Sequence, residues 1–113
     1  MKVLFHRRVI EQFLNLSEIL YDQGYLGFED AAIEYSERVF NDIKTFLPLK
    51  VKKAAPAYFQ RYGRNLYYSA FKHSRQTTWY VFFSIHEEGT ETVFLVRYLT
   101  NNHVAGHRLG LGE

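Results

Sequence analysis

Three stretches of this sequence carry side chains able to handle phosphate. Lys72, His73 and Arg75 stand together, Thr77, Thr78, Trp79 and Tyr80 follow, and Arg97 and Tyr98 lead into Asn101, Asn102 and His103. Arginine and lysine hold phosphate oxygens and offset charge developing on them. Imidazole moves protons near neutral pH, and aromatic rings stack on unpaired bases. Those parts suffice for metal-free RNA cleavage. A base takes the proton of a 2′-hydroxyl, the oxygen attacks the adjacent phosphorus, and an acid protonates the leaving oxygen. Lys72, His73, Arg97 and His103 are the candidate catalytic residues, with Arg97 and Lys72 on the phosphate and His103 or His73 handling protons. Arg64, Arg75, Tyr80 and Asn102 are the candidate RNA contacts. Each has a plainer alternative. Turns are ordinarily polar, Arg97 in an apolar strand also fits an arginine paired to an acid, and Trp79 fits the core.

Other chemistries find little support. The chain has no cysteine, which excludes disulfides, thiolate metal sites and cysteine nucleophiles. His103 and His107 have the i, i+4 spacing of a shared metal on a helix, but Gly106 lies between them and no third ligand is evident. No metal or other cofactor is therefore expected. There is no phosphate-binding glycine loop, no nucleophile elbow and no Ser-His-Asp order.

Charge is unevenly spread although the net is only +2. Residues 1–42 hold eight acids and four bases, a net of −4, whereas residues 43–86 hold eight bases and no acid, a net of +8. The middle block comprises Lys44, Lys50, Lys52, Lys53, Arg61, Arg64, Lys72 and Arg75. Such a block attracts phosphates or an acidic partner, or is simply a solvated face.

The elements that must position these residues follow from hydrophobic periodicity. Val3, Leu4 and Phe5 suit a short strand. From Arg8 to Asp22, Val9, Phe13, Leu16 and Leu20 mark one face of an amphipathic helix. A second helix is expected from Phe28 to Phe46, with Ala32, Tyr35, Val39, Ile43 and Phe46 as its buried stripe and Pro48 closing it. The short link makes the pair an antiparallel hairpin. Residues 48–63 read as a basic connector containing Pro56. The period then changes to two over Leu66–Phe71, Thr77–Ile85 and Thr92–Leu99, three strands of an antiparallel meander. Residues 100–113, with Gly106, Gly110 and Gly112, read as an irregular tail.

The expectation is one α+β domain over residues 1–113, two layers deep, with an N-terminal helix hairpin packed on an antiparallel β-sheet. The alternation sets Trp79, Val81, Phe83 and Ile85 on one face of the sheet, and Tyr80, Phe82 and Ser84 on the other. On the last strand it sets Phe94 and Val96 opposite Arg97 and Leu99. One face packs under the helices, and the other stays uncovered unless something binds there. The meander should bring Lys72, His73, Arg75, Tyr80, Arg97 and His103 to one sheet edge. No apolar run approaches the roughly 18 residues of a membrane span. Residues 1–8 turn charged too soon for a secretory signal, so a cytoplasmic protein that avoids membranes is expected.

This order of parts resembles the RelE/ParE toxin superfamily. The resemblance spans nearly the whole chain. It rests on Gly27–Ala32 opening the second helix, Tyr62-Gly63-Arg64-Asn65-Leu66-Tyr67 leading into the sheet, Thr77–Phe83, and Val96–His103. It implies a toxin, active in plasmid stabilisation-like systems, neutralised by a cognate antitoxin that wraps it with a helix and an extended segment. RelE-like members are mRNA interferases that cut messenger RNA on the ribosome without metal. ParE-like members poison DNA gyrase instead. At the position where RNA-cutting members commonly carry an arginine after a tyrosine, this chain has Tyr68 after Tyr67. Three functions stay open: an endoribonuclease toxin, a gyrase-inhibiting toxin, and a non-catalytic module that dimerises through its aromatic sheet face.

Overall fold

A computed structural model of the chain describes residues 1–12, 29–73, 75 and 77–102. Strand β1 (Lys2–Phe5) leads into helix α1, of which residues 7–12 are described, and helix α2 is Glu29–Phe46. A 3-10 turn (Leu47–Leu49), strand β2 (Lys53–Ala54) and a second 3-10 turn (Ala57–Tyr62) form the connector. The meander is β3 (Tyr67–Lys72), β4 (Thr78–Glu88) and β5 (Glu91–Asn101). The remainder of the expected helix hairpin lies outside the described residues, as do residues 103–113 of the expected tail. Thr100 and Asn101, assigned to that tail from sequence, complete β5 instead.

The architecture is α+β on a five-stranded sheet of order β1-β5-β4-β3-β2. The meander is antiparallel as expected, but β1 runs parallel to β5, so the sheet is mixed. At the β4–β5 hairpin, Glu88 faces Glu91 and Gly89 takes φ 63° while Thr90 does not. A glycine at the first central position is what a tight II′ turn requires.

The helix-side core joins Val9 of α1 and Val39 and Ile43 of α2 to Phe71, Trp79, Val81, Phe83, Val96 and Leu99. Trp79 donates its indole N–H to the Tyr35 hydroxyl at 3.0 Å. Phe46, expected in the buried stripe, is 47% exposed, and Leu47 takes its place at 1%. Positions 39, 43 and 47 keep the i, i+4 step that holds one helix face.

The opposite sheet face is not left bare. Pro56 starts the second 3-10 turn, which lays Phe59 over the sheet. The Phe59 ring stacks on Phe82 with centroids 4.3 Å apart, in a second core with Ala55, Leu66 and Tyr80. β4 is thus buried on both sides, by the helices and by the chain's own connector. Among the described residues, no helix is long and apolar enough to cross a membrane.

A bulge interrupts β5. Phe82 pairs with Tyr98 but Phe83 pairs with Val96, leaving Arg97 as the extra residue. A bulge of this kind sets two successive side chains on one face. Arg97 and Tyr98 both face the connector, while Val96 and Leu99 both join the helix-side core. The expected opposition of Val96 and Leu99 is therefore corrected by one inserted residue.

Candidate anion-binding site

Three elements converge around a concavity of about 250 Å3. The junction of β1 and α1 brings His6 and Arg8, the connector brings Gln60, Arg61, Tyr62, Gly63 and Arg64, and the β5 bulge brings Arg97. The parallel pairing explains the first group. Phe5 lies beside Val96, and the His6 amide donates to the Val96 carbonyl at 2.9 Å, which holds the start of α1 next to Arg97.

Each side chain has a local anchor. Arg97 Nε donates to the Tyr62 carbonyl at 3.3 Å. Arg61 Nε donates to the Tyr58 carbonyl at 3.0 Å, with its guanidinium 3.9 Å from the Tyr58 ring centroid. Asn65 sits at φ 53°, a conformation asparagine tolerates, in the turn that carries Arg64 towards β3. The Arg8 amide donates to His6 Nδ1 at 3.1 Å, so a neutral His6 carries its proton on Nε2. Four arginines thus surround the concavity, and no carboxylate among the described residues comes within ion-pairing distance of any of them. Beside this cluster the rings of Tyr62 and Tyr98 stack at 3.9 Å and 4°. Burial, then the hydrogen bond to Tyr62, pushes the Tyr98 hydroxyl up to about 12, so it stays a phenol at neutral pH.

A second concavity of about 320 Å3 opens where α2 ends above β3, lined by Asp42, Phe46, Leu49, Lys50, Phe71, Lys72 and His73. His73 Nε2 lies 3.5 Å from Asp42 Oδ2. Burial lowers the His73 pKa, Asp42 raises it, and Arg38 and Lys50 lower it further.

No protein-family model, curated protein or solved structure matches this chain.

The residues expected at one edge are divided between these places. Arg97 lines the arginine-rich concavity, with Arg64, which was not expected at that edge, whereas Lys72 and His73 line the other. Lys72 pairs with Thr78 at the end of the sheet, while Arg97 sits at the bulge part-way along β5. The single shared border expected for Lys72 and Arg97 is thereby corrected, because β5 runs on past Arg97 to Asn101, and it is Asn101 and Asn102 that reach the Lys72 end. Asn102 stays at the Lys72 end, where its Oδ1 accepts the Thr78 amide at 2.8 Å. Arg75 is exposed in the β3–β4 turn. Tyr80, expected to be open for stacking, is only 7% exposed and packs in the connector-side core with Tyr68. His103 lies outside the described residues, as does His107. His6, Arg8 and Gly63 were not among the sequence candidates. The signal for His6 and Arg8 was their place at the end of a strand that pairs beside Arg97. The signal for Gly63 was a glycine between two cations.

Proposed function

We propose that the chain is the toxin of a type II toxin-antitoxin pair, RelE/ParE-like, cytoplasmic, and that its arginine-rich concavity holds a backbone phosphate of messenger RNA. The observation that carries this reading is the convergence of Arg8, Arg61, Arg64 and Arg97 on one concavity with no neutralising acid among the described residues. Unpaired guanidinium groups that share a hollow attract an anion with several oxygens. In metal-independent cleavage, the 2′-oxygen bonds to phosphorus, the bond to the 5′-oxygen breaks, and a cyclic phosphate and a 5′-hydroxyl result. Arg97 and its neighbours would offset the added charge on the phosphorane, and the Nε2–H of His6 would donate to a phosphate oxygen. Expression of the protein alone, with mapping of RNA ends, tests this. Growth arrest with new 5′-hydroxyl ends, lost in Arg97→Ala, is the expected result. Intact RNA during growth arrest would sink the cleavage step.

One observation favours the gyrase-inhibiting alternative. The hydroxyl of Tyr98 stays protonated and His6 Nδ1 is occupied by the Arg8 amide, so neither is a ready proton acceptor beside the arginines. A surface that binds without cutting needs no such acceptor. Induction of the DNA-damage response with intact messenger RNA would support that reading.

A further inference from the structure

We infer that the segment from Phe46 to Lys53 is a docking surface for an anionic lipid bilayer. The inference rests on that segment and not on the RNA reading. The expectation that the chain avoids membranes rested on the lack of a span and of a secretory start, and docking at a surface needs neither.

Helix α2 ends at Phe46, and the chain passes through the Leu47–Leu49 turn to Lys50, which is extended at φ −82° and ψ 151°. The backbone here is tied down. Leu47 is buried in the helix-side core. The Lys50 amide donates to the Leu47 carbonyl at 3.2 Å, and the Ser69 hydroxyl donates to the Val51 carbonyl at 3.0 Å. From that fixed backbone Leu49 and Val51 project into solvent, 80% and 82% exposed, beside Phe46 at the helix end. Taking even one such aliphatic side chain out of water favours attachment about ten-fold or more.

Cations surround these tips. Lys44, Lys50, Lys52, Lys53 and Lys72 are exposed, and among the described residues none has a carboxylate within ion-pairing distance. Lys50 and Lys52 lean back, with Nζ 4.7 Å from the Phe71 ring centroid and 5.8 Å from that of Tyr67. Leu49 and Val51 alternate with them. Asp42 lines the adjoining concavity but faces His73 at 3.5 Å. The boundary of an anionic bilayer accepts this arrangement. Aliphatic tips enter the acyl region, lysine stems lie along it, and ammonium groups stay at the lipid phosphates. Apolar insertion and a basic cluster are the two signals that stable attachment takes. A nucleic acid would meet the lysines, but Leu49 and Val51 offer no ring on which a base could stack. A second copy of the chain would set these lysines against their own kind.

The test sediments the full chain with vesicles of phosphatidylcholine alone or mixed with phosphatidylglycerol. Binding to the mixed vesicles should be at least about ten-fold tighter. Lys50→Gln with Lys52→Gln and Lys53→Gln should weaken it about a hundred-fold, each lysine near the surface being worth about five-fold. Leu49→Ser with Val51→Ser should weaken it about ten-fold or more while leaving the unfolding temperature unchanged, because both side chains are exposed in the free protein. Arg97→Ala, in the other concavity, should sediment as the unaltered chain does. Equal binding to neutral and mixed vesicles would overturn the inference, as would full binding by the serine variant. So would loss of vesicle binding in Arg97→Ala with retention in the lysine variant, which would place the lipid at the arginines. Two further results would give the surface to another occupant. One is a vesicle-free dimer that the serine variant loses. The other is a uridine oligomer that the lysine variant no longer binds, where the unaltered chain ignores vesicles.

Discussion

A Cβ built on Gly63 would lie 3.1 Å from Nε of Arg97, with Gly63 itself at φ 157° and ψ 159°. That backbone region is essentially reserved for glycine. The same residue thus lets the connector turn and lets Arg97 approach the Tyr62 carbonyl. Gly63→Ala should cost about 1–3 kcal/mol through backbone strain. It should also displace Arg97. Thermal unfolding measures the first effect. Weaker binding of single-stranded RNA by the fraction that remains folded measures the second, and unchanged affinity would show that Arg97 need not be held there.

The arginine cluster predicts a salt signature. Each phosphate contact with single-stranded nucleic acid contributes about −0.7 to the slope of log affinity against log salt. Arg97→Ala and Arg64→Ala should each reduce that slope by about one contact's worth. Arg75→Ala, in the exposed β3–β4 turn, should leave it unchanged. A slope indifferent to Arg97 would place the RNA elsewhere.

Phe59 makes the connector-side core testable. It is fully buried and stacked on Phe82 and against Tyr98. Phe59→Ala should cost about 3–5 kcal/mol, the usual penalty for emptying a buried aromatic position. If that sheet face were instead covered by a partner, the isolated protein would lose little. Urea unfolding of the variant decides between the two.

These examples show how much of the molecule was legible in its sequence. The facing of Trp79, Val81 and Phe83 against Tyr80 and Phe82 was readable, because a strand's period of two leaves a local trace. The meander and the main extent of α2 were readable for similar reasons. What escaped depends on distant partners. Nothing in Val96-Arg97-Tyr98-Leu99 marks an inserted residue, since no glycine or proline flags the bulge. The parallel seat of β1 beside β5 joins the two ends of the described chain, and only that pairing brings His6 and Arg8 to Arg97. Residues 48–63 read as a connector, with nothing local to show that Phe59 would fold back over Phe82.

His73 sets a pH dependence with a definite sign. Its folded-state pKa lies below the ordinary 6.5, mainly through burial, with Asp42 opposing the shift. The unfolded chain therefore binds the proton more readily than the folded one. The stability linked to His73 is present above about pH 6.5 and is lost as pH falls through the depressed folded value. His73→Gln should flatten the acid side of the stability profile. Asp42→Asn removes the opposing carboxylate and should move the His73 titration in NMR further down. An upward move would reverse the assigned role of Asp42.

The bulge makes the sharpest claim about form and use. Omitting Arg97 would leave Val96 and Leu99 towards the helices and Tyr98 towards the connector, which is a regular alternation. The pairing of β1 with Val93 to Val96 precedes the bulge and would be untouched. A chain with Arg97 deleted should therefore keep its fold, with a change in unfolding temperature no larger than about 4–8 °C, the equivalent of roughly 1 kcal/mol. It should nevertheless lose the arginine-rich concavity and, on the proposed reading, bind RNA no better than Arg97→Ala is expected to. Retained structure with lost binding would mean that the extra residue is kept for the site and not for the sheet. Unfolding on deletion would mean that the bulge relieves strain in the twisted ladder, and the site would then be its by-product.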